Sequence, residues 1–123
     1  MTPDLDIDSL KANAASASAL LKALANPDRL LLLCQLSQGE RSVSELEQLL
    51  GIQQPTLSQQ LGVLRREGLV ATRREGKLIH YRISSPEALA VIATLYQLFC
   101  ERGQQRLSIG RTSRRGRRLQ AVC

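Results

Sequence analysis

The stretch from Ser42 to Gly68 constrains the fold more than any other part of the chain. It reads S-V-S-E-L-E-Q-L-L-G-I-Q-Q-P-T-L-S-Q-Q-L-G-V-L-R-R-E-G. Ser42 followed by Glu45 forms a capping box, in which each side chain accepts a backbone N–H at the start of a helix. Gly51 allows the left-handed conformation that ends a helix, and Pro55 suits the first turn of the next one. The pattern predicts two short helices joined by a tight turn.

The second predicted helix has one apolar and one polar face. Leu57, Leu61 and Leu64 recur at helical spacing, whereas the opposite face is polar and nearly free of acids. This pair of helices is typical of a helix-turn-helix, whose second helix reads the major groove of DNA. From this stretch alone, an ordinary helical hairpin with a solvated polar face remains an alternative. The polar face consists of Ser58, Gln59, Gly62 and Arg66, with Arg65 at its edge.

The residues after the second helix predict a β-hairpin. Ile79, Tyr81 and Ile83 alternate with polar residues, which is the period of a half-buried strand. The segment 73–77, R-R-E-G-K, is a polar break with a glycine, as a hairpin turn needs. A basic hairpin directly after a recognition helix is a wing, which can lie along the phosphate backbone of DNA.

Further helices are predicted on both sides of this central region. Residues 9–25 form an alanine-rich first helix, and Asn26-Pro27 starts a second helix that runs to about residue 37. Pro86 starts the last helix, whose apolar stripe from Leu89 to Phe99 is too wide for one small core. We expect this stripe to form a dimer face. The predicted fold class is mainly α with a small β-hairpin: a winged helix-turn-helix of five helices plus the wing.

Positive charge is concentrated in two parts of the chain. The net charge is +6, yet residues 1–100 hold ten basic and ten acidic side chains, and residues 101–123 hold seven arginines and one glutamate. We therefore expect a flexible N-terminus (1–8), a DNA-binding and dimerisation domain (9–102) and a basic, disordered tail (103–123). The tail could neutralise DNA phosphates or could be solvated without a specific role. Within the domain, the clustered basic residues are Arg65, Arg66, Arg73, Arg74 and Lys77.

Composition excludes several classes of protein. The chain has no long apolar run that could span a membrane, and its acidic N-terminus is unlike a secretory signal. Three cysteines at irregular spacing do not form a disulfide framework, so a cytoplasmic location is expected. A phosphate-binding glycine loop, paired carboxylates in a cleft and a nucleophile with a histidine partner are all missing from the pattern. The sequence therefore predicts a protein that is not an enzyme.

The chain resembles the ArsR/SmtB family of winged-helix repressors over residues 10–102. The resemblance implies a homodimer, paired through its first and last helices, that binds double-stranded operator DNA and is released by a chemical signal. The matching segments are A-L-A-N-P-D-R-L (23–30), S-V-S-E-L (42–46), Q-P-T-L-S-Q-Q-L-G-V-L-R-R-E-G-L-V (54–70) and Y-R-I (81–83).

The predicted DNA contacts divide into base-reading and phosphate-binding residues. Thr56, Ser58 and Gln59 are the candidates for base edges, with Gln54 near the start of the helix. The candidates for phosphate contacts are Arg65, Arg74 and Lys77.

Two ligand sets with which this family binds metals are missing here. The first is a Cys-x-Cys in the first helix of the helix-turn-helix, but residues 42–46 contain no thiol. The second lies on the last helix, but residues 86–102 contain neither histidine nor aspartate. The only histidine, His80, is expected to point outward near the wing. No metal site and no cofactor are therefore predicted.

Two cysteines remain as candidates for a sensor. The sequences L-L-L-L-C-Q-L around Cys34 and Y-Q-L-F-C before Glu101 resemble the subgroup typified by BigR, SqrR and HlyU. The resemblance implies that Cys34 and Cys100 sense reactive sulfur species (persulfide or polysulfide) or oxidants, through a polysulfide bridge or a direct disulfide. Three alternatives stay open: cysteines that only fill the core, a metal- or metalloid-responsive repressor with cysteine ligands, and a winged helix that docks only to protein. Cys123 is expected to be incidental.

Overall fold

The computed structural model describes residues 6–101. The predicted flexible N-terminus lies mostly outside the described residues, and the basic tail with Cys123 lies wholly outside them. Within that range the chain forms five α-helices and one three-stranded antiparallel sheet of order β1-β3-β2, a winged helix-turn-helix as predicted. The elements are α1 (Ile7–Leu24), α2 (Pro27–Leu36), β1 (Arg41–Ser42), α3 (Val43–Leu50), α4 (Thr56–Arg66), β2 (Val70–Glu75), β3 (Leu78–Ile83) and α5 (Pro86–Leu95), which a π-helical segment (Tyr96–Glu101) continues.

Side-chain caps define where most of the helices start. The carboxylate of Asp6 accepts the backbone N–H of Ser9 at 3.1 Å, so α1 begins at Ile7, two residues before the predicted start. Asn26 caps α2 in the same way, with Pro27 in the first turn as predicted. Ser85 caps α5 by accepting the N–H of Ala88 at 3.0 Å.

The predicted capping box of the helix-turn-helix is confirmed. The Ser42 N–H donates to Glu45 Oε1 at 2.8 Å, and the Glu45 N–H donates to Ser42 Oγ at 3.3 Å. The hydrogen bond from the Ser42 backbone lowers the pKa of the Glu45 carboxyl. Gly51 ends α3 in the left-handed conformation, with φ at 70°. Helix α4 follows from Thr56, so the tight turn between the two helices is confirmed.

The core lies between α2, α4 and α5. Leu57, Leu61 and Leu64 are at most 1% exposed, which confirms the predicted apolar face of α4. They pack in one cluster with Leu33 of α2 and Ile92 of α5. Helix α2 is therefore a central support that packs against both α4 and α5.

The hairpin differs from its prediction in the length of its turn. Strand β2 continues through Arg73 and Arg74, and Glu75 pairs directly with Leu78. The predicted break over residues 73–77 is wrong, because antiparallel pairing continues until only Gly76 and its neighbour remain in the turn. Gly76 has φ at 61°, which a two-residue hairpin turn favours. Strand β1 has no counterpart in the sequence prediction, since two residues carry no readable alternation.

The surroundings of His80 also differ from expectation. Strand β3 is central, with His80 opposite Ser42 of β1 and Arg73 of β2. The side chain of His80 is only 15% exposed. His80 Nε2 lies 3.3 Å from Glu75 Oε1. His80 therefore lies on the strand face opposite the core-packed Tyr81, as predicted, but its side chain is largely covered rather than exposed to solvent.

The last helix changes its geometry before its end. The sequence predicts one helix to Cys100, but the α-helical part stops at Leu95 and a π-helical turn carries Tyr96 to Glu101. Segments of this type are uncommon and are often found at functional sites. None of the helices in residues 6–101 has the length and apolar character to cross a membrane.

Candidate nucleic-acid interface and thiol site

The outer face of α4 offers polar groups to the solvent. Its three leucines point into the core, so the residues between them face outward. Ser58, Gln59 and Arg65 are exposed and Thr56 is half-buried. Ser58 Oγ donates a hydrogen bond to Gln54 Oε1, which orients both side chains at the start of the helix. The described chain thus brings the predicted base-reading residues together on one surface.

Gly62 makes this face flatter. It is exposed, and apart from its chain neighbours and the backbone of its own helix no protein atom lies within 4 Å of where a Cβ would be. Packing inside the described chain therefore does not require glycine at this position. A helix without a side chain at its centre allows close approach of a ligand backbone.

The basic residues of the wing differ in whether they are paired with a carboxylate. Arg73 is bound by Glu40: Nε donates to both carboxylate oxygens at 3.0 Å and Nη2 donates to Oε1 at 2.8 Å. This bond lowers the pKa of the Glu40 carboxyl. Arg74 and Lys77 are exposed, and within residues 6–101 neither forms a salt bridge. Their charges are available to an external anion, whereas that of Arg73 is offset.

In the sequence Arg73 belongs to the clustered basic residues, and nothing near it in the chain indicates its partner. Glu40 lies in the loop before β1, 33 positions away in the chain. Only the pairing of β1 with β3 brings that loop beside the hairpin. No local pattern could have indicated the contact.

Cys34 is buried in α2 and lines two cavities, each of about 390 Å³. It is 7% exposed, and this burial raises the pKa of its thiol. Ser37 and Gln97 contribute polar groups to the first cavity, while Leu30 and Phe99 belong to the almost wholly apolar lining of the second. Cys34 thus faces the end of α5 and the start of the π-helical segment from two sides.

Cys100 lies in that π-helical segment and is 4% exposed. It follows directly after Phe99, which shares a cavity lining with Cys34. The described residues therefore bring Cys34 against the segment that carries Cys100. Across residues 6–101, no three His, Cys, Asp or Glu side chains are grouped so that they could hold a metal ion.

Comparison with known proteins identifies the family. The model described as "Bacterial regulatory protein, arsR family" matches residues 26–72. The transcriptional repressor BigR from Xylella fastidiosa has a solved structure with 49% sequence identity and a TM-score of 0.72. The match covers 78% of this chain and 98% of that one. This chain belongs to the ArsR family.

Two other solved structures are similar to this chain. Reduced HlyU from Vibrio cholerae is 47% identical with a TM-score of 0.72, over 75% of this chain and 97% of that one. HlyU is described as a transcriptional activator. A domain from Mycobacterium bovis, described as a homodimeric winged helix-turn-helix, is 32% identical with a TM-score of 0.67, over 85% of this chain and 95% of that one. The subgroup resemblance seen in the sequence is confirmed by the matches to BigR and HlyU.

Proposed function

We propose that this ArsR-family protein is a cytoplasmic, homodimeric repressor that releases operator DNA when reactive sulfur species or oxidants modify Cys34 and Cys100. The observation that carries the DNA-binding part is the exposed polar face of α4, followed directly in the chain by the wing. Two exposed cations of that wing form no salt bridge with any other described residue. Membership of a family of DNA-binding regulators supports the same conclusion.

The roles of individual residues follow from their chemistry and exposure. Thr56, Ser58 and Gln59 contact base edges, since hydroxyl and amide groups can donate to and accept from them. Gln54 supports this set through its hydrogen bond with Ser58. The cations that bind phosphates and hold the protein in register are Arg65, Arg74 and Lys77.

Dimerisation is supported by apolar surface that one chain leaves uncovered. In α1, all side chains from Ile7 to Ala19 are exposed, although an isolated helix of this length is marginal in water. At the other end, Leu98 is 44% exposed and Phe99 is 72% exposed. A second copy packed through α1 and through α5 with its π-helical continuation would cover both surfaces. The homodimeric neighbour from Mycobacterium bovis has the same fold.

The sensing chemistry needs no external electron acceptor when the inducer is an organic persulfide. A cysteine thiolate attacks the outer sulfur of the persulfide, becomes a cysteine persulfide and releases the organic thiolate. The second cysteine then attacks the inner sulfur and expels hydrosulfide, which leaves a disulfide. If both cysteines carry a persulfide, the same expulsion leaves a trisulfide bridge. Either bridge would connect α2, which supports α4, to the segment after α5.

The test combines intact mass with DNA binding. Operators are first selected from random duplex DNA with the reduced full-length protein. Wild type and Cys123→Ser are then exposed separately to glutathione persulfide, peroxide and a metal panel, and each product is mapped by peptide mass and tested on the operator. We expect a Cys34–Cys100 bridge, with or without extra sulfur, and loss of operator binding in both proteins.

Other outcomes would overturn specific parts of the proposal. A bridge from Cys100 to Cys123 that releases DNA would remove Cys34 from the sensor. A metal that binds and releases DNA while the thiols stay unmodified would make the cysteines ligands. If no sequence is enriched from random DNA, the protein is an interaction module and DNA-binding repression is wrong.

A further inference from the structure

Arg29 of α2 contacts two other helices at once. Its Nε donates to the carbonyl of Ala23 and its Nη2 donates to the carbonyl of Lys22 at 3.2 Å. Its Nη1 donates to Oε1 of Gln60 at 2.8 Å, on the recognition helix α4. One planar guanidinium therefore joins the end of α1, the start of α2 and the middle of α4.

The contact with α1 is a helix cap. The last carbonyls of a helix lack partners within the helix and carry partial negative charge. Arg29 donates to the carbonyl of Ala23, adds a second donor to the carbonyl of Lys22, which also accepts the Ala25 N–H, and supplies a full positive charge at that end. Lysine could not replace it, because an ammonium group lacks the flat arrangement of donors that reaches three acceptors in different directions.

The contact with α4 involves the inner edge of the recognition helix. Gln60 is half-buried, whereas its neighbour Gln59 is exposed on the outer face. The Gln60 amide is therefore hydrogen-bonded on its inner side by the Arg29 guanidinium, which also contacts the end of α1. Rotation or sliding of α4 relative to α1 would break at least one of these hydrogen bonds.

We propose that Arg29, acting through Gln60, is a positioning residue that sets the angle and distance of the recognition helix relative to the α1 dimer helix. This inference rests on the proposed dimeric DNA binding. A dimer presents two recognition helices to half-sites about 34 Å apart. Arg29 thus controls which half-site spacing the dimer accepts, without touching DNA itself.

The test uses the full-length protein, three variants that break the contact and two further variants for comparison. Gln60→Met removes the acceptor but keeps the size of the side chain. Arg29→Lys keeps the positive charge but removes the planar guanidinium. The third variant carries both changes. Lys22→Met is the matched control, since it removes a positive side chain at the same end of α1 while leaving the backbone carbonyl in place. Each protein is titrated with the selected operator, with operators lengthened or shortened by one base pair between half-sites, and with unrelated duplex DNA.

Both single variants should bind the operator about tenfold more weakly and discriminate less between spacings, with unchanged affinity for unrelated DNA. The double variant should lose no more than the stronger single one, because both changes break the same contact. Gln60→Glu keeps an acceptor, so it should retain spacing discrimination even if its charge weakens binding to all DNA.

Urea unfolding and the dimer dissociation constant separate positioning from simple stability. If Gln60→Met discriminates between half-site spacings as well as wild type does, the inference is overturned. It is also overturned if each variant loses the same affinity for every DNA, in proportion to its loss of unfolding free energy. If wild type itself shows no preference for an operator, the proposed function has failed instead.

Discussion

The outer face of α4 and the surroundings of Cys34, which lies in the helix α2 that packs against α4, have opposite chemistry. The α4 face is exposed, polar and ready to form hydrogen bonds. Cys34 is buried against apolar side chains, and burial raises the pKa of its thiol. DNA recognition needs its groups in solvent before the ligand arrives. A buried cysteine forms less thiolate, so it reacts more slowly with electrophiles but excludes bulky or charged ones.

Helix α2 connects the two regions. It carries Arg29 near its start and Cys34 near its end, five positions apart in the chain. The Arg29 contact with Gln60 provides a physical route from a displacement of α2 to the recognition helix. A bridge formed at Cys34 would therefore act on α4 through a helix that already holds it. This coupling is a free-energy difference between two arrangements of the dimer.

The largest expected effect is a loss of operator affinity when a residue of the exposed α4 face is replaced. Replacing Gln59→Ala should weaken operator binding by about 1–3 kcal/mol, the value of a good base contact, and should hardly change binding to unrelated DNA. Fluorescence anisotropy with both DNAs at one salt concentration measures the difference. Gln97→Ala, an exposed glutamine in the π-helical segment, is the control. Equal weakening on both DNAs would mean that Gln59 does not read bases.

A smaller effect is expected in the wing, where the salt dependence of DNA binding distinguishes free from paired cations. Lys77→Ala should reduce the slope of log K against log salt by about one unit, because one phosphate contact is lost. Arg73→Ala should change the slope less, since Glu40 already offsets its charge. Glu40→Gln should release Arg73 and make the slope steeper. An unchanged slope in Lys77→Ala would remove that residue from the phosphate set.

Local chemistry explains what the sequence predicted well. The capping box of Ser42 and Glu45, the left-handed Gly51 and the leucines of α4 each depend on residues within one or two turns of each other. The polar outer face then follows from helical geometry alone. For this reason the amino-acid sequence is sufficient to predict the helix-turn-helix and its exposed side chains.

Contacts between distant segments explain what the sequence did not predict. Strand β1 brings Glu40 to Arg73, and the side chain of His80 is only 15% exposed in the folded chain. The guanidinium of Arg29 reaches Gln60 across 31 positions in the chain. Each contact depends on how elements pack, and a single sequence shows no periodicity that would indicate it.

The smallest expected effect concerns the buried region and is a change in pH dependence. In a Cys100→Ser, Cys123→Ser background, Cys34 is alkylated with iodoacetamide at a series of pH values. Because burial disfavours the charged thiolate, the midpoint of the rate profile should lie at higher pH in the folded protein than in the same protein unfolded in urea. Phe99→Ala, which opens the apolar cavity beside Cys34, should move the midpoint back toward the unfolded value.

If the midpoint of the Cys34 rate profile in the folded protein lies at or below that in the unfolded protein, Cys34 is not the less reactive, buried group that contrasts with the α4 face. It would mean that an interaction near Cys34 favours the thiolate more strongly than burial disfavours it. Cys34 would then be the thiol that attacks the inducer first. With the expected higher midpoint, burial keeps Cys34 mostly in the less reactive thiol form at neutral pH.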